Sequence, residues 1–453
     1  MIDKEMGSLV LTLGVLIASV HILGYIFERL RQPRLVGEIL AGVLLGPFVL
    51  GSFAPEISHT LFGVSSSHGN KIEIILGFLY WLGLIMLMFV SGSQTRHLLA
   101  KQNYRETAWL LGVGTPVPFF LILGLGLASF FPLEPLIGTS GNPMSVLLIL
   151  AIAVAVTSIP VISRIFHDLN ILHTKFASLI LGAAVIEDII LWGILAIATA
   201  ITQTGAISEE KIIGPVTAHI LLTAIYMATA LSAAPRFLKK IRQSRWNILI
   251  KASPLAYVVF TLFFYVALAA FLKVNLVFAA FLAGFGLVGG FKDTERKYFD
   301  DALTAISKFS FAVFIPIYFG MVGYKLVLGR DFSLIMLLIF LIGSSIIAIV
   351  SRGLAARLAG FRKMDILNLA ITTNARGGPG IVLASVAYEA GIISAAFYTI
   401  LVLTAILTSQ VAGAWLRFIL GKGWPLLASH PHETWSLKEK ILIENVDLAL
   451  KEN

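Results

Sequence analysis

Cysteine is absent from this sequence, which excludes disulfides and thiolate metal sites. Charge is scarce too: only 13% of the 453 residues are Asp, Glu, Lys or Arg, against roughly a quarter in a water-soluble domain. The 58% of hydrophobic side chains are too many for a soluble core and must face lipid. Length alone suggests about three soluble domains, but apolar runs recur along nearly the whole chain and overrule that. No Gly-x-Gly-x-x-Gly follows a strand pattern, so no nucleotide-binding domain is expected. No His or carboxylate cluster has zinc spacing, and there is no nucleophile elbow. An enzyme, such as an intramembrane hydrolase, is therefore not expected. The first residues carry no basic n-region, so the first apolar run is expected to persist as a helix rather than be cleaved as a signal peptide.

What is present is a series of apolar runs, each of about the 20 residues that cross a bilayer. Thirteen candidates emerge: 8–27, 35–51, 72–94, 106–130, 144–165, 175–201, 212–235, 253–272, 275–290, 307–325, 333–356, 365–388 and 394–420. With the N-terminus outside, 27 of the 34 Lys and Arg residues fall on the inner side, 6 on the outer side, and Arg376 lies within a span. That bias reads the net charge of +9 as topology rather than nucleic-acid binding. Thirteen spans divide as six, one and six, which gives two units of opposite orientation, the inverted repeat common among secondary transporters. The expected organisation is a transmembrane domain over 1–420, with a basic linker at 236–251, and a short cytoplasmic tail over 421–453.

Span 6 carries Glu187 and Asp188 halfway along an otherwise apolar helix. One carboxylate at mid-bilayer costs roughly 2.5–3.5 kcal/mol, and ionisable residues in spans are usually functional. Two adjacent ones cost more or force one to keep its proton, and a group so held can trade a proton for a metal cation. Being neighbours, they project about 100° apart and need not share a role. Span 5 holds Thr157, Ser158 and Pro160. The proline frees carbonyls near Val156, and the hydroxyls add further hard ligands for Na⁺ or K⁺. An ordinary patched proline kink is the competing reading. Span 12 holds Asn374, Arg376, Gly377, Gly378, Pro379 and Gly380, again incompatible with a regular helix interior. Matched interrupted spans point to a transporter site. Arg376 is placed to offset half-helix dipoles or one carboxylate. Arg352, near the inner end of span 11, reads equally as a partner for the carboxylates or a topology-setting charge. His21 reads as a packing or hydrogen-bonding residue.

These features resemble the monovalent cation/proton antiporter-2 family, which contains sodium/proton antiporters and Kef-type potassium efflux systems. The stretch Gln32-Pro33-Arg34-Leu35-Val36-Gly37-Glu38-Ile39-Leu40-Ala41-Gly42-Val43-Leu44-Leu45-Gly46-Pro47 is similar to the family's opening signature. Thr157 to Arg164, Phe281 to Gly284, Pro316 to Phe319 with Val322-Gly323, and Asn374 to Gly377 match in order and spacing, over nearly all of 8–420. The resemblance implies an all-α fold of thirteen transmembrane helices with broken helices 5 and 12 crossing near the ion site. It also implies a homodimer and an elevator-like movement of a core domain. Asp188 matches the essential ion-binding aspartate and Glu187 the variable position before it, so Asp188 and Thr157 are the expected cation ligands. Two departures stand out. Gly92-Ser93-Gln94 replaces a common Gly-Leu-Glu. The middle of span 11, Gly343 to Ile349, lacks the lysine that many members pair with the aspartate, which bears on the protons moved per cation.

The expectation is a secondary antiporter of protons and Na⁺, K⁺ or Li⁺, without a cofactor or a nucleic-acid partner, in a bacterial inner membrane with its C-terminus inside. The alternatives are a channel-like or ligand-gated Kef-type efflux module, which would pass ohmic currents, and a non-transporting scaffold, which gives no reason for two carboxylates at mid-depth.

Overall fold

A computed structural model describes residues 2–428, except 31, 63–68, 100–103, 140–141, 173, 204–212, 243, 245–246, 288–292 and 330–331. Most of the expected tail, from 429 onward, lies outside the described residues. The chain forms two compact units, Met1–His97 with Thr199–Phe332, and Leu98–Ala198 with Ser333–Asn453. Each takes helices from both halves of the sequence.

In chain order, the first unit begins with α1 (Ile2–Arg29), α2 (Arg34–Leu45), α3 (Leu50–Phe53), α4 (Pro55–Phe62) and α5 (Gly69–Leu99). The second unit contributes α6 (Tyr104–Gly114), α7 (Pro116–Leu127), α8 (Pro143–Ala155), α9 (Ile159–Asp168) and α10 (Lys175–Gln203), whose last turn passes into the first unit. The first unit resumes with α11 (Ile213–Arg242), α12 (Ile248–Ala252), α13 (Pro254–Phe271), α14 (Leu276–Leu287), α15 (Asp293–Phe309) and α16 (Ile315–Tyr324). The second closes with α17 (Leu334–Leu358), α18 (Met364–Thr373), α19 (Gly377–Glu389) and α20 (Ala395–Gly421). Among the described residues the extended pairing is one isolated antiparallel bridge, Ile137 to Ile393.

Among the described residues ten helical stretches are long and apolar enough to cross a membrane. The other three expected spans correspond to α8 with α9, α14 alone, and α18 with α19. The expected linker at 236–251 needs correction. Helix α11 runs through Pro235 to Arg242, and Lys239, Lys240 and Arg242 fill its last turn, where cations suit the helix dipole. In the first unit α2 lies backbone to backbone against α16. A Cβ on Gly42 would stand 1.7 Å from the Gly320 carbonyl oxygen, so the signature glycine permits the close approach. Between α15 and α16 a π-helical turn spans Ser310–Phe314. His21 of α1 hydrogen-bonds there, its Nε2–H donating to the Ala312 carbonyl at 2.7 Å, while Arg34 contacts its other ring nitrogen. Lys325, at the C-cap of α16, rests its Nζ 3.9 Å from the Tyr80 ring centroid.

The second unit places its polar residues in its interior. Helix α8 is buried from Ser145 to Ala155 except at Leu148, and α19 from Gly377 to Ala387. They are surrounded by α7, α9, α17 and α20. Ser145 Oγ donates to the Ala198 carbonyl of α10 at 3.0 Å. Lys175 in the first turn of α10 pairs with Glu106 in the first turn of α6 at 2.9 Å.

Candidate functional site

The expected breaks are both present, the first where Thr157 and Ser158 place it and the second shifted ahead of the glycines that announce it. Helix α8 stops at Ala155 and α9 starts at Ile159, with Pro160 in its first turn, where its missing N–H costs nothing. The extended residues between them are Val156, Thr157 and Ser158. Likewise α18 ends at Thr373 and α19 begins at Gly377, so Gly377, Gly378, Pro379 and Gly380 start a half-helix rather than interrupt one. The break itself is Asn374, Ala375 and Arg376.

The two breaks cross in contact. The Ser158 N–H donates to the Ala375 carbonyl at 2.7 Å, and the Thr157 hydroxyl donates to the Thr373 carbonyl at 3.0 Å. Gly377 has φ +35°, and a Cβ there would lie 2.6 Å from Ser158 Oγ and 2.5 Å from Val161 Cγ2. Only glycine allows this crossing. Helix α20 supports it from behind: the Thr408 and Ser409 hydroxyls accept the N–H groups of Arg376 at 3.4 Å and Gly377 at 3.0 Å. Ser158 acts as a helix cap, its Oγ accepting the Val161 N–H at 3.4 Å.

Glu187 and Asp188 lie mid-way along α10, 4% and 1% exposed. Arg352 of α17, also 4% exposed, stands with Nη2 3.6 Å from Glu187 Oε1, a charge contact rather than a hydrogen bond. The same nitrogen donates to Thr157 Oγ1 at 2.9 Å and to the Ala155 carbonyl. The arginine thus occupies oxygens that the first break releases. Thr115, Thr157, Glu187, Arg352 and Thr373 line a narrow cleft of about 10 Å³ together with apolar residues of α6 and α10.

The structure therefore brings Glu187, Thr157 and Arg352 together. Asp188 is not among the residues lining the cleft, and both its oxygens are buried without a hydrogen bond among the described residues. Asn374 Oδ1 and the Nε, Nη1 and Nη2 of Arg376 are buried in the same condition. The Arg376 guanidinium carbon stands 5.9 Å from the centroid of the Phe340 ring, and among the described residues no carboxylate contact accompanies it. Span 11 does supply a basic partner, contrary to what its lysine-free middle suggests. It is Arg352, further along the helix, and it faces Glu187 rather than Asp188. Thr115, Thr408 and Ser409 escape sequence reading. The 408–409 hydroxyls show only as polar positions in an apolar run.

Known proteins share this architecture. The chain is 26% identical over 403 residues to the Na⁺/H⁺ antiporter NhaS4 of Synechocystis sp., covering 88% of this chain and 93% of that protein. It is 28% identical to K⁺/H⁺ antiporter 1 of Saccharomyces cerevisiae, where the match covers 85% of this chain but 43% of the yeast protein. It is 21% identical to the Na⁺/H⁺-K⁺ antiporter GerN of Bacillus cereus, covering 90% and 95%. The chain thus spans nearly all of the two bacterial relatives and under half of the yeast one. The solved structure of the sodium proton antiporter MjNhaP1 from Methanocaldococcus jannaschii superposes with a TM-score of 0.60 over 92% of this chain and 98% of that one, at 15% identity, a likeness of fold. The model of the family described as sodium/hydrogen exchanger, transmembrane, matches residues 15–422, and the chain belongs to that family.

Proposed function

We propose that this chain is a secondary antiporter that exchanges protons for a monovalent cation, Na⁺ or K⁺, across a membrane. The observation that carries the reading is the buried Glu187–Asp188 pair of α10 in the unit where two broken helices cross. The relatives' names favour antiport over a channel-like module. Asp188 is the residue at which proton and cation compete. Its carboxylate is buried and has no described hydrogen-bond partner, so its charge is left for a cation or a proton to neutralise. The Glu187 charge, in contrast, faces Arg352. An arginine keeps its proton in a protein, so Arg352 cannot carry one as a lysine could. That arrangement supports one proton per cation.

Thr157 Oγ1 keeps one lone pair beside the bond it accepts from Arg352, and with the carbonyl oxygens of the second break it supplies hard oxygens that Na⁺ or K⁺ accepts in place of water. Asn374 and Arg376 adjust the charge around the ends of α18 and α19. The division into two compact units supports an elevator-like movement, and a homodimer in a bacterial inner membrane belongs to the same proposal. Purified protein in proteoliposomes tests it. Asp188→Asn abolishes cation exchange driven by a pH difference, whereas unchanged exchange overturns the assignment. Saturable uphill flux supports antiport, and ohmic single-channel current contradicts it.

A further inference from the structure

The second broken span is held by a part of the chain that the exchange chemistry leaves unused. At the end of α20, Gly423 adopts φ +71° and turns the chain, while the N–H groups of Lys422, Gly423 and Trp424 return to the carbonyls of Phe418, Leu420 and Ile419. Residues 425–428 then lie against α18. Asn368 Nδ2 donates to the Leu426 carbonyl at 3.1 Å and reaches the Pro425 carbonyl at 3.5 Å. Its Oδ1 accepts the indole N–H of Trp415, from α20, at 3.1 Å. Indole only donates and carbonyls only accept, so these partners fix the orientation of the amide. One turn earlier, Asp365 Oδ1 accepts the Ala428 N–H at 2.9 Å. Asn368 is fully buried, and Leu426 and Leu427 are 3% and 2% exposed, so the strap is packed as well as hydrogen-bonded.

Asp365 and Asn368 are three residues apart and share one face of α18. That half-helix leads directly into the break at 374–376, about 9 Å beyond Asn368 along the axis. Helix α20 and its extension therefore grip the broken span at two levels: Thr408 and Ser409 at the break, Trp415 and the strap nearer its start. Removing the Asn368 amide would leave the strap carbonyls and the indole N–H without their partner in a water-poor place.

We infer that Asn368 and Asp365 are positioning residues for cation exchange. By pinning α18 to residues 425–428, they set where the break presents its oxygens and Arg376 to the ion. This role presupposes the exchange proposed above. The hydroxyls at 408 and 409 bond the α19 side of the break, and among the described residues the hydrogen bonds that tie α18 to α20 and its extension are those of Asn368 and Asp365.

The test compares Asn368→Ala, Asp365→Ala and Asp365→Asn with the unaltered full-length chain. Proteoliposome assays give cation KM, kcat and pH profile, and hydrogen–deuterium exchange follows the amides of 369–376. The two alanine variants are expected to raise KM by about tenfold, the scale of one or two lost net hydrogen bonds, with faster amide exchange and kcat within about twofold. Asp365→Asn keeps the acceptor for the Ala428 N–H and rescues both readouts. An unaltered KM and pH profile in the alanine variants overturns the inference, as does a kcat that falls only in proportion to folded protein. If Asn368→Ala does not fold, the two Asp365 variants decide, since they alter a single hydrogen bond at the start of the helix. Failure of the exchange reading itself would appear as absent exchange in the unaltered protein. Amide exchange then decides the strap's part separately, with unchanged protection of 369–376 counting against it.

Discussion

Removing the contact between Arg352 and Glu187 should reveal a strong energetic coupling. Both side chains are 5% exposed and stand 3.6 Å apart. Breaking a buried pair by truncating one member costs about 3–5 kcal/mol, because the other charge is left without compensation. Arg352→Ala also strips a donor from Thr157 Oγ1 and the Ala155 carbonyl. The cleft beside the pair has room for about one water, which would offset part of this and places Arg352→Ala near the low end of that range. Glu187→Gln preserves volume and leaves Arg352 its two oxygen acceptors, so it should cost less, about 2 kcal/mol. The double variant removes both charges of the pair, and the coupling energy should be about 1–3 kcal/mol. Reversible chemical unfolding in mixed micelles, run on the wild type, both single variants and the double variant, measures it. Effects that add to within about 0.5 kcal/mol would refute the pairing.

Gly377→Ala should destabilise the crossing of the breaks. The added Cβ would overlap Val161 and Ser158, and the positive φ disfavours any side chain. Overpacking of this kind costs about 1–3 kcal/mol, and the accompanying shift should lower exchange activity; unaltered unfolding and flux would show that the breaks do not meet there. Exchange should also be indifferent to membrane potential, because Arg352 cannot release a proton and its charge faces Glu187, which leaves Asp188 as the carboxylate of the pair without a facing cation. Flux at fixed ion gradients, with and without an imposed valinomycin potential, checks this, and a clear voltage dependence would mean a second carried proton.

Much of the fold is legible in the sequence because lipid demands long apolar runs. The first break is legible where it lies, since Pro160 frees carbonyls near Val156 with Thr157 and Ser158 beside them, whereas Gly377 to Gly380 announce the second three residues past its start at Asn374. Proline and glycine are tolerated in the first turn of a half-helix, so the interruption precedes them. The partner of the carboxylates is less legible. Position along α17 does not say which neighbour Arg352 meets, and a shift of one residue turns a side chain by about 100°. The same rotation separates Glu187, which lines the cleft, from Asp188, which does not. Asn368 could not be singled out, since one amide in an apolar helix has no periodic signature and its partners are 47 to 58 residues away. The basic stretch after Pro235 misleads for a different reason. A proline near a helix end removes one hydrogen bond, and the following lysines and arginine favour the helix terminus enough for the helix to continue.

The most direct measurement of proton–cation competition at Asp188 is the apparent KM for Na⁺ and for K⁺ as external pH is lowered, in proteoliposomes of fixed orientation. Competition for one carboxylate predicts that KM for the transported ion rises about tenfold per pH unit on the acid limb, while the maximal rate at saturating cation holds steady. A KM that ignores pH, with only the maximal rate falling, would mean that the proton acts somewhere other than the cation's site and would contradict exchange at Asp188.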